Sequence, residues 1–299
     1  MGVSRIIRHQ DYLPEGPPAV KSLEDYHDGN IFPTMGIKKE IHLFYHVALL
    51  EKGLEILREQ LDCLVKSGLG TACRNIHVTL VGGQIEKALE IIMVSELFEK
   101  MIFTCHRDPQ VYEFPTLEKV IAFSRENPNA LICYFHTKGA SHSLGFNEGS
   151  QLTYTQENLI NLQQQRCFLE YFVIENWQQC VDGLKEADVC GVDWLRDDSS
   201  SQDPYYFGSH FAGNFWWTTG KYIQRCDLNR ESRYKCESFI GTGNPVVNNM
   251  FSSFECLKSI EHLNIYQFAQ KNTVSHPPAF IFNFKDYFFH PSYYRKTRR

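Results

Sequence analysis

Residues 130–141 read Ala-Leu-Ile-Cys-Tyr-Phe-His-Thr-Lys-Gly-Ala-Ser. An apolar run long enough for one buried strand stops at a cluster of hydrogen-bond donors followed by glycine. In an open α/β sheet ligands sit at the carboxyl ends of strands, so His136-Thr137-Lys138-Gly139 is where an anion would be held. Lys138 offers a point charge, His136 and Thr137 offer directional hydrogen bonds, and Gly139 lets a ligand approach the backbone. A strand that simply ends at polar residues gives the same local pattern.

Two further clusters follow. Residues 210–217 read His-Phe-Ala-Gly-Asn-Phe-Trp-Trp. Trp216 and Trp217 beside Gly213 and Asn214 suit carbohydrate, because indole faces stack on sugar C–H surfaces and Asn supplies donor and acceptor together. An aromatic core strand is the alternative; the polar Asn214 within the run and His210 at its mouth weigh against it. Downstream, Glu237 lies in the stretch Arg233-Tyr234-Lys235-Cys236-Glu237-Ser238-Phe239-Ile240-Gly241. A carboxylate among apolar residues and an arginine is the setting of a general base, although a helix-surface glutamate reads the same way. Asp193, at the end of a strand, competes for the role. Asp197 and Asp198 beside it make either a cation site or a solvated acidic loop.

Several chemistries lack their motifs. There is no Gly-x-Gly-x-x-Gly, no Walker A sequence, no Gly-x-Ser-x-Gly elbow, no zinc-type His/Cys spacing and no Asp-x-Asp. A net charge of −5 gives no electrostatic footprint for nucleic acid, and the basic run 295–299 reads as a solvated terminus. The ten cysteines are scattered without a Cys-x-x-Cys pair, and Cys133 and Cys190 fall inside apolar runs. With no signal-peptide pattern, that usage predicts a reducing, cytoplasmic setting. No apolar segment reaches the roughly 18 residues of a membrane span.

The elements that must position these clusters follow an alternating rhythm. Residues 1–38, rich in Pro, Gly and charge, read as an irregular arm. Strands are expected at 41–47, 75–81, 101–105, 130–135 and 189–194, and along the aromatic stretch 210–217. Helices are expected at 52–67, 87–100, 115–125 and 157–184, with a polar loop over 142–155. Strands alternating with helices predict a largely parallel, doubly wound sheet in one domain.

Taken in order, these clusters resemble those of small GT-A-type glycosyltransferases found in bacterial polysaccharide loci and in large DNA viruses of algae. The likeness runs from about residue 40 to 245. It rests on Tyr45-His46, Ser67-Gly68-Leu69, Glu113-Phe114-Pro115-Thr116-Leu117, Tyr134-Phe135-His136-Thr137-Lys138-Gly139, Tyr171-Phe172-x-Ile174-x-x-Trp177 and His210-Phe211-x-Gly213-Asn214-Phe215-Trp216-Trp217. The resemblance implies a GT-A-like α/β domain over 39–299, with a nucleotide-binding half at 39–140 and a sugar and acceptor half at 141–299. It further implies transfer of a hexose or pentose from a nucleotide-diphospho-sugar, uridine-linked, to a hydroxyl of a glycan or glycoprotein, with inversion. A non-catalytic sugar-nucleotide or carbohydrate binder is the alternative. Tyr45, His46 and Thr116 would meet the nucleoside. His136, Thr137, Lys138, Gly139 and Arg166 would meet the diphosphate. His210, Gly213, Asn214, Trp216 and Trp217 would meet the sugar or acceptor, and Glu237 or Asp193 would act as base. Where relatives carry Asp-x-Asp with Mn²⁺ or Mg²⁺, this chain has His-Thr-Lys, which leaves the metal open.

Overall fold

Nine consecutive residues, Ile41–Leu49 (β1), are almost all buried, as a strand covered on both faces must be. The computed structural model describes residues 39–142, 145–147, 152–154, 156–196 and 208–251. The arm at 1–38, Asp197, Asp198 and the basic run at 295–299 lie outside the described residues. After β1 come α1 (Gly53–Lys66), which turns Ile56, Leu57, Leu61 and Leu64 inward, and the short α2 (Leu69–Ala72). Gly68 between them stands at φ +72°, the left-handed stop that glycine supplies at a helix end. Next are β2 (Asn75–Gly82), α3 (Ile85–Met93), β3 (Met101–His106), α4 (Phe114–Glu126) and β4 (Leu131–His136). Pro115 sits in the first turn of α4, where its missing N–H costs nothing.

The second half departs from the expected elements in four places. The loop expected over 142–155 contains a small hairpin, β5 (Gly145–Asn147) against β6 (Leu152–Tyr154). The single helix expected over 157–184 is α5 (Gln156–Glu170), a π-helical turn (Tyr171–Glu175) and α6 (Trp177–Gly183). The break has a local cause: the backbone N–H of Asn176 reaches back five residues to the Tyr171 carbonyl, and its side-chain amide donates to the same oxygen at 2.8 Å. Strand 189–194 is shortened to β7 (Val189–Gly191), because Asp193 at φ +53° turns the chain into β8 (Trp194–Leu195). The aromatic stretch 210–217 is likewise two strands, β9 (His210–Phe211) paired with β8, and β10 (Trp216–Thr219). Two short helices, α7 (Gly220–Ile223) and α8 (Lys235–Ser238), precede β11 (Val247–Asn249). The helix expected over 87–100 ends early, at Met93, with a 3-10 turn at Phe98–Lys100.

One seven-stranded sheet runs in the order β11-β7-β10-β4-β1-β2-β3. Its neighbours are parallel except β10, which is antiparallel to both β4 and β7. Helices α1, α5 and α6 cover one face over Leu43, Tyr45, Phe135 and Trp217; α4 and the 239–240 turn cover the other over Phe44, Tyr134 and Trp216. Because one sheet passes through both halves of the chain, the described residues form a single mixed α/β domain. Cys133 and Cys190 are wholly buried, and no described cysteine is paired. No helix of the described residues is long and apolar enough to cross a membrane.

Candidate functional site

The chain leaves β1 toward β2 and β3 on one side, and β4 lies on the other. Strand order therefore reverses between β1 and β4, and a crevice opens outside the carboxyl ends of the strands flanking such a switch point. There His46 of β1 stands in register with His136 of β4. The Thr137 N–H donates to the His46 carbonyl at 3.1 Å, and the Thr137 hydroxyl accepts the Ala48 N–H at 2.9 Å. These bonds lock the two strand ends together. Beyond them Gly139 takes φ +90°, and open space surrounds the position a Cβ would fill.

Lys138 sits on this rim, and no carboxylate of a described residue pairs with its ammonium. Its charge reaches three imidazoles. Burial, aided by Lys138, pushes both His136 and His142 down to about 4. Burial also lowers His210, with the Glu237 carboxylate opposing and Lys138 adding slightly. Glu237, on α8, acts on His136 as well, so the lysine and this glutamate face the same pair of rings.

The centre of the site is Glu113, at the start of α4, a residue named in the Glu113–Leu117 motif but given no role there. Its Oε2 accepts the Tyr134 hydroxyl and, at 2.7 Å, the Asn214 amide. Its Oε1 stands 3.9 Å from His136 Nδ1. On the far side of the ring, His136 Nε2 lies 2.9 Å from the Gly213 carbonyl. A carbonyl only accepts, so Nε2 carries the hydrogen and Nδ1 presents a lone pair. The available signal was an acidic residue directly before the Phe-Pro start of a helix, a position also explained by helix capping.

The structure brings His136, Lys138, Gly139, Asn214, Gly213 and Glu237 to this end of the sheet and corrects the remaining assignments. Trp216 and Trp217 are fully buried. Trp216 stacks on Tyr134 at 4.8 Å and donates to Asn214, while Trp217 donates to the Val173 carbonyl at 2.8 Å. Neither indole has a face for a sugar. Gly213 (φ +92°) and Asn214 (φ +58°) form the left-handed turn between β9 and β10, which explains the polar interruption of the aromatic run. Asn214 is 1% exposed and holds Glu113 rather than a ligand. His210 is buried, with Nδ1 donating to the Gly208 carbonyl at 2.8 Å.

The nucleoside assignments fail on burial too. Tyr45 is covered by Phe135, its ring centroid 4.4 Å away, and His46 Nδ1 bonds the equally buried Thr116 hydroxyl at 2.9 Å. These three residues fasten the layers behind the crevice. Thr137 is turned to Ala48 and lost to phosphate. Arg166 is 5% exposed and pairs with Glu59 and, at 3.4 Å, with Glu170. Gln60 donates both to Glu170 (2.8 Å) and to the His136 carbonyl (3.1 Å), so this network braces β4 from behind. Burial, against the opposing Arg166 charge, raises Glu170 to about 7. Asp193 is 4% exposed, at φ +53° in the turn between β7 and β8. Asp197 and Asp198 are not among the described residues.

The donor set does not suit the divalent ion that the resemblance places here. Thr137 is committed to Ala48 and the next side chain is a cation, which leaves His136 Nδ1 and Glu113 Oε1 as a pair of acceptors at this strand end. Among the described residues no group of three or more His, Cys, Asp or Glu is placed to hold a metal.

Comparison with known proteins adds little chemistry. No curated protein matches the chain. Among solved structures, the 4-diphosphocytidyl-2C-methyl-D-erythritol synthase of Anaerococcus prevotii DSM 20548 is similar over 86% of this chain and 96% of its own, at 10% identity and a TM-score of 0.38. A likeness at that level carries no argument. A family model does match, across residues 44–238, which takes in both strand ends of the crevice, Glu113, Lys138 and Glu237. The chain belongs to the family described as domain of unknown function DUF8361.

Proposed function

We propose that this chain is a glycosyltransferase of GT-A-like, doubly wound architecture. It moves a sugar from a nucleotide-diphospho-sugar, uridine-linked, to a hydroxyl of a glycan or glycoprotein. The observation that carries the reading is Lys138: a lysine with no carboxylate partner among the described residues, on the rim of the switch-point crevice, beside the open turn at Gly139. An uncompensated cation at such a strand end is suited to an anionic ligand. The diphosphate ligands reduce to Lys138 and the Gly139 backbone.

In the reaction the acceptor O–H gives its proton to the Glu237 carboxylate as the oxygen bonds the anomeric carbon. The bond from that carbon to the diphosphate oxygen breaks, and its electron pair stays on the leaving group, whose added charge Lys138 offsets. A base facing the leaving group across the sugar implies inversion.

Melting temperatures of the full chain with UDP, with UDP-sugars and with other nucleotides, each with and without Mn²⁺, test the binding. A ligand at about a hundred times its Kd stabilises the fold by about 2.7 kcal/mol and raises Tm accordingly. The absence of any shift with every nucleotide diphosphate overturns the proposal. Glu237→Gln is expected to reduce sugar transfer by about 10²- to 10⁴-fold while donor affinity persists. Unchanged transfer removes Glu237 as the base. Binding without transfer in the unaltered chain identifies a non-catalytic sugar-nucleotide binder instead.

A further inference from the structure

Two hydrogen-bond acceptors face one another in this crevice. His136 Nε2 is the donor to Gly213, so Nδ1 is a lone pair; Glu113 Oε1, 3.9 Å away, can only accept. The other Glu113 oxygen is saturated by Tyr134 and Asn214, which fix the plane of the carboxylate. No hydrogen of a described residue is shared with Oε1 or Nδ1. Both belong to side chains that are 18% and 13% exposed and stay within reach of solvent. The arrangement repels an anion and calls for a group that carries two hydrogens. Phosphate oxygens, being acceptors, belong on the Lys138 side of the same rim.

We propose that Glu113 Oε1 and His136 Nδ1 form a sugar-recognition site that accepts hydrogen bonds from two neighbouring hydroxyls, a vicinal diol, of the transferred sugar. The inference rests on the nucleotide-sugar reading above and adds to it a polarity: sugar hydroxyls toward Glu113, diphosphate toward Lys138. A single hydroxyl satisfies only one of the two acceptors, so sugars lacking one member of the diol lose affinity. Glu113→Gln is the informative change. Its amide oxygen still accepts from Tyr134 and Asn214, while its NH₂ supplies the hydrogen that Nδ1 lacks. The variant therefore fills the gap from within and retains the fold.

Calorimetric titration of the full chain with UDP and with a panel of UDP-hexoses and UDP-pentoses reads the outcome. The sugar that binds best to the unaltered chain is expected to weaken by about ten- to hundredfold in Glu113→Gln, the worth of a hydrogen bond to a charged group. UDP itself is expected to change by less than about twofold. Equal effects on UDP and on the UDP-sugar, or no effect on either, overturn the diol site and leave the nucleotide-sugar reading standing. No binding of UDP or any UDP-sugar to the unaltered chain sinks that reading, and the diol site with it.

Nitrogen NMR of histidine-labelled protein gives a check that needs no variant. His136 is expected as the neutral Nε2–H form at neutral pH, with its Nδ1 signal moved by a UDP-sugar and not by UDP. An Nδ1–H form refutes the site.

Discussion

Lowering the pH from 7 to 5 tests the buried imidazoles directly. The ordinary pKa of histidine is 6.5, and burial holds His46, His77, His136 and His142 at about 4. Between those values the unfolded chain binds protons that the folded chain refuses, so stability is full above pH 6.5 and falls as the pH drops. At about 1.4 kcal/mol per pH unit of unequal uptake, each buried ring costs about 2 kcal/mol between pH 7 and pH 5. Glu170 acts in the opposite sense. Its carboxyl is at about 7 when folded against 4.5 in the open chain, so the folded state takes its proton first. That adds about 2 kcal/mol of stability over the same interval. These five groups leave a net loss of about 6 kcal/mol, a large part of the 5–15 kcal/mol typical of a domain.

Single variants separate the contributions. His46→Asn keeps a polar group against Thr116 and shrinks the difference between pH 7 and pH 5 by about 2 kcal/mol, whereas Glu170→Gln widens it by about the same amount. The assay is urea unfolding at both pH values, in which each variant's own cost at pH 7 cancels. A His46→Asn difference within about 0.5 kcal/mol of the unaltered chain refutes the buried, neutral His46 described above.

Two other substitutions test the corrected roles of the aromatic stretch. Gly213→Ala places a methyl 2.5 Å from Leu169 Cδ1 at a left-handed position, and is expected to lower stability by about 1–3 kcal/mol in denaturant titration. Trp217→Phe leaves the buried Val173 carbonyl without its donor and costs about 1–3 kcal/mol, while UDP-sugar affinity in the folded protein stays unchanged. A selective loss of sugar binding in Trp217→Phe restores the stacking role that its burial excludes.

Strands β1 and β4 were legible because a parallel strand covered on both faces reads as a largely apolar run, and residues 41–47 and 130–135 are such runs. The crevice end of β4 was legible for the same reason, since the run stops at His136. The stretch 210–217 misled because its hydrophobicity is equally that of a strand and of two buried anchors around a turn. Only the positive φ of Gly213 and Asn214 separates these. Arg166 misled differently: Glu170 is its i,i+4 neighbour on α5, but Glu59 of α1 reaches it only through packing, which no local pattern encodes. The role of Glu113 stayed hidden because its partners, Tyr134, His136 and Asn214, are 21 to 101 residues away in the chain.

The antiparallel insertion of β10 beside β4 also sets an order of assembly. Strands β1 to β4 can pair once residues 41 to 136 have left the ribosome, because every pairing among them lies within that span. Until residues 216–219 arrive, the outer edge of β4 is bare, with the unpaired backbone of Leu131 to Tyr134 exposed. The turn that brings Gly213 to His136 and Asn214 to Glu113 arrives with that same strand. Ribosome-released fragments ending before residue 210 should therefore aggregate through β4, and the crevice takes its final form only when the last central strand closes that edge.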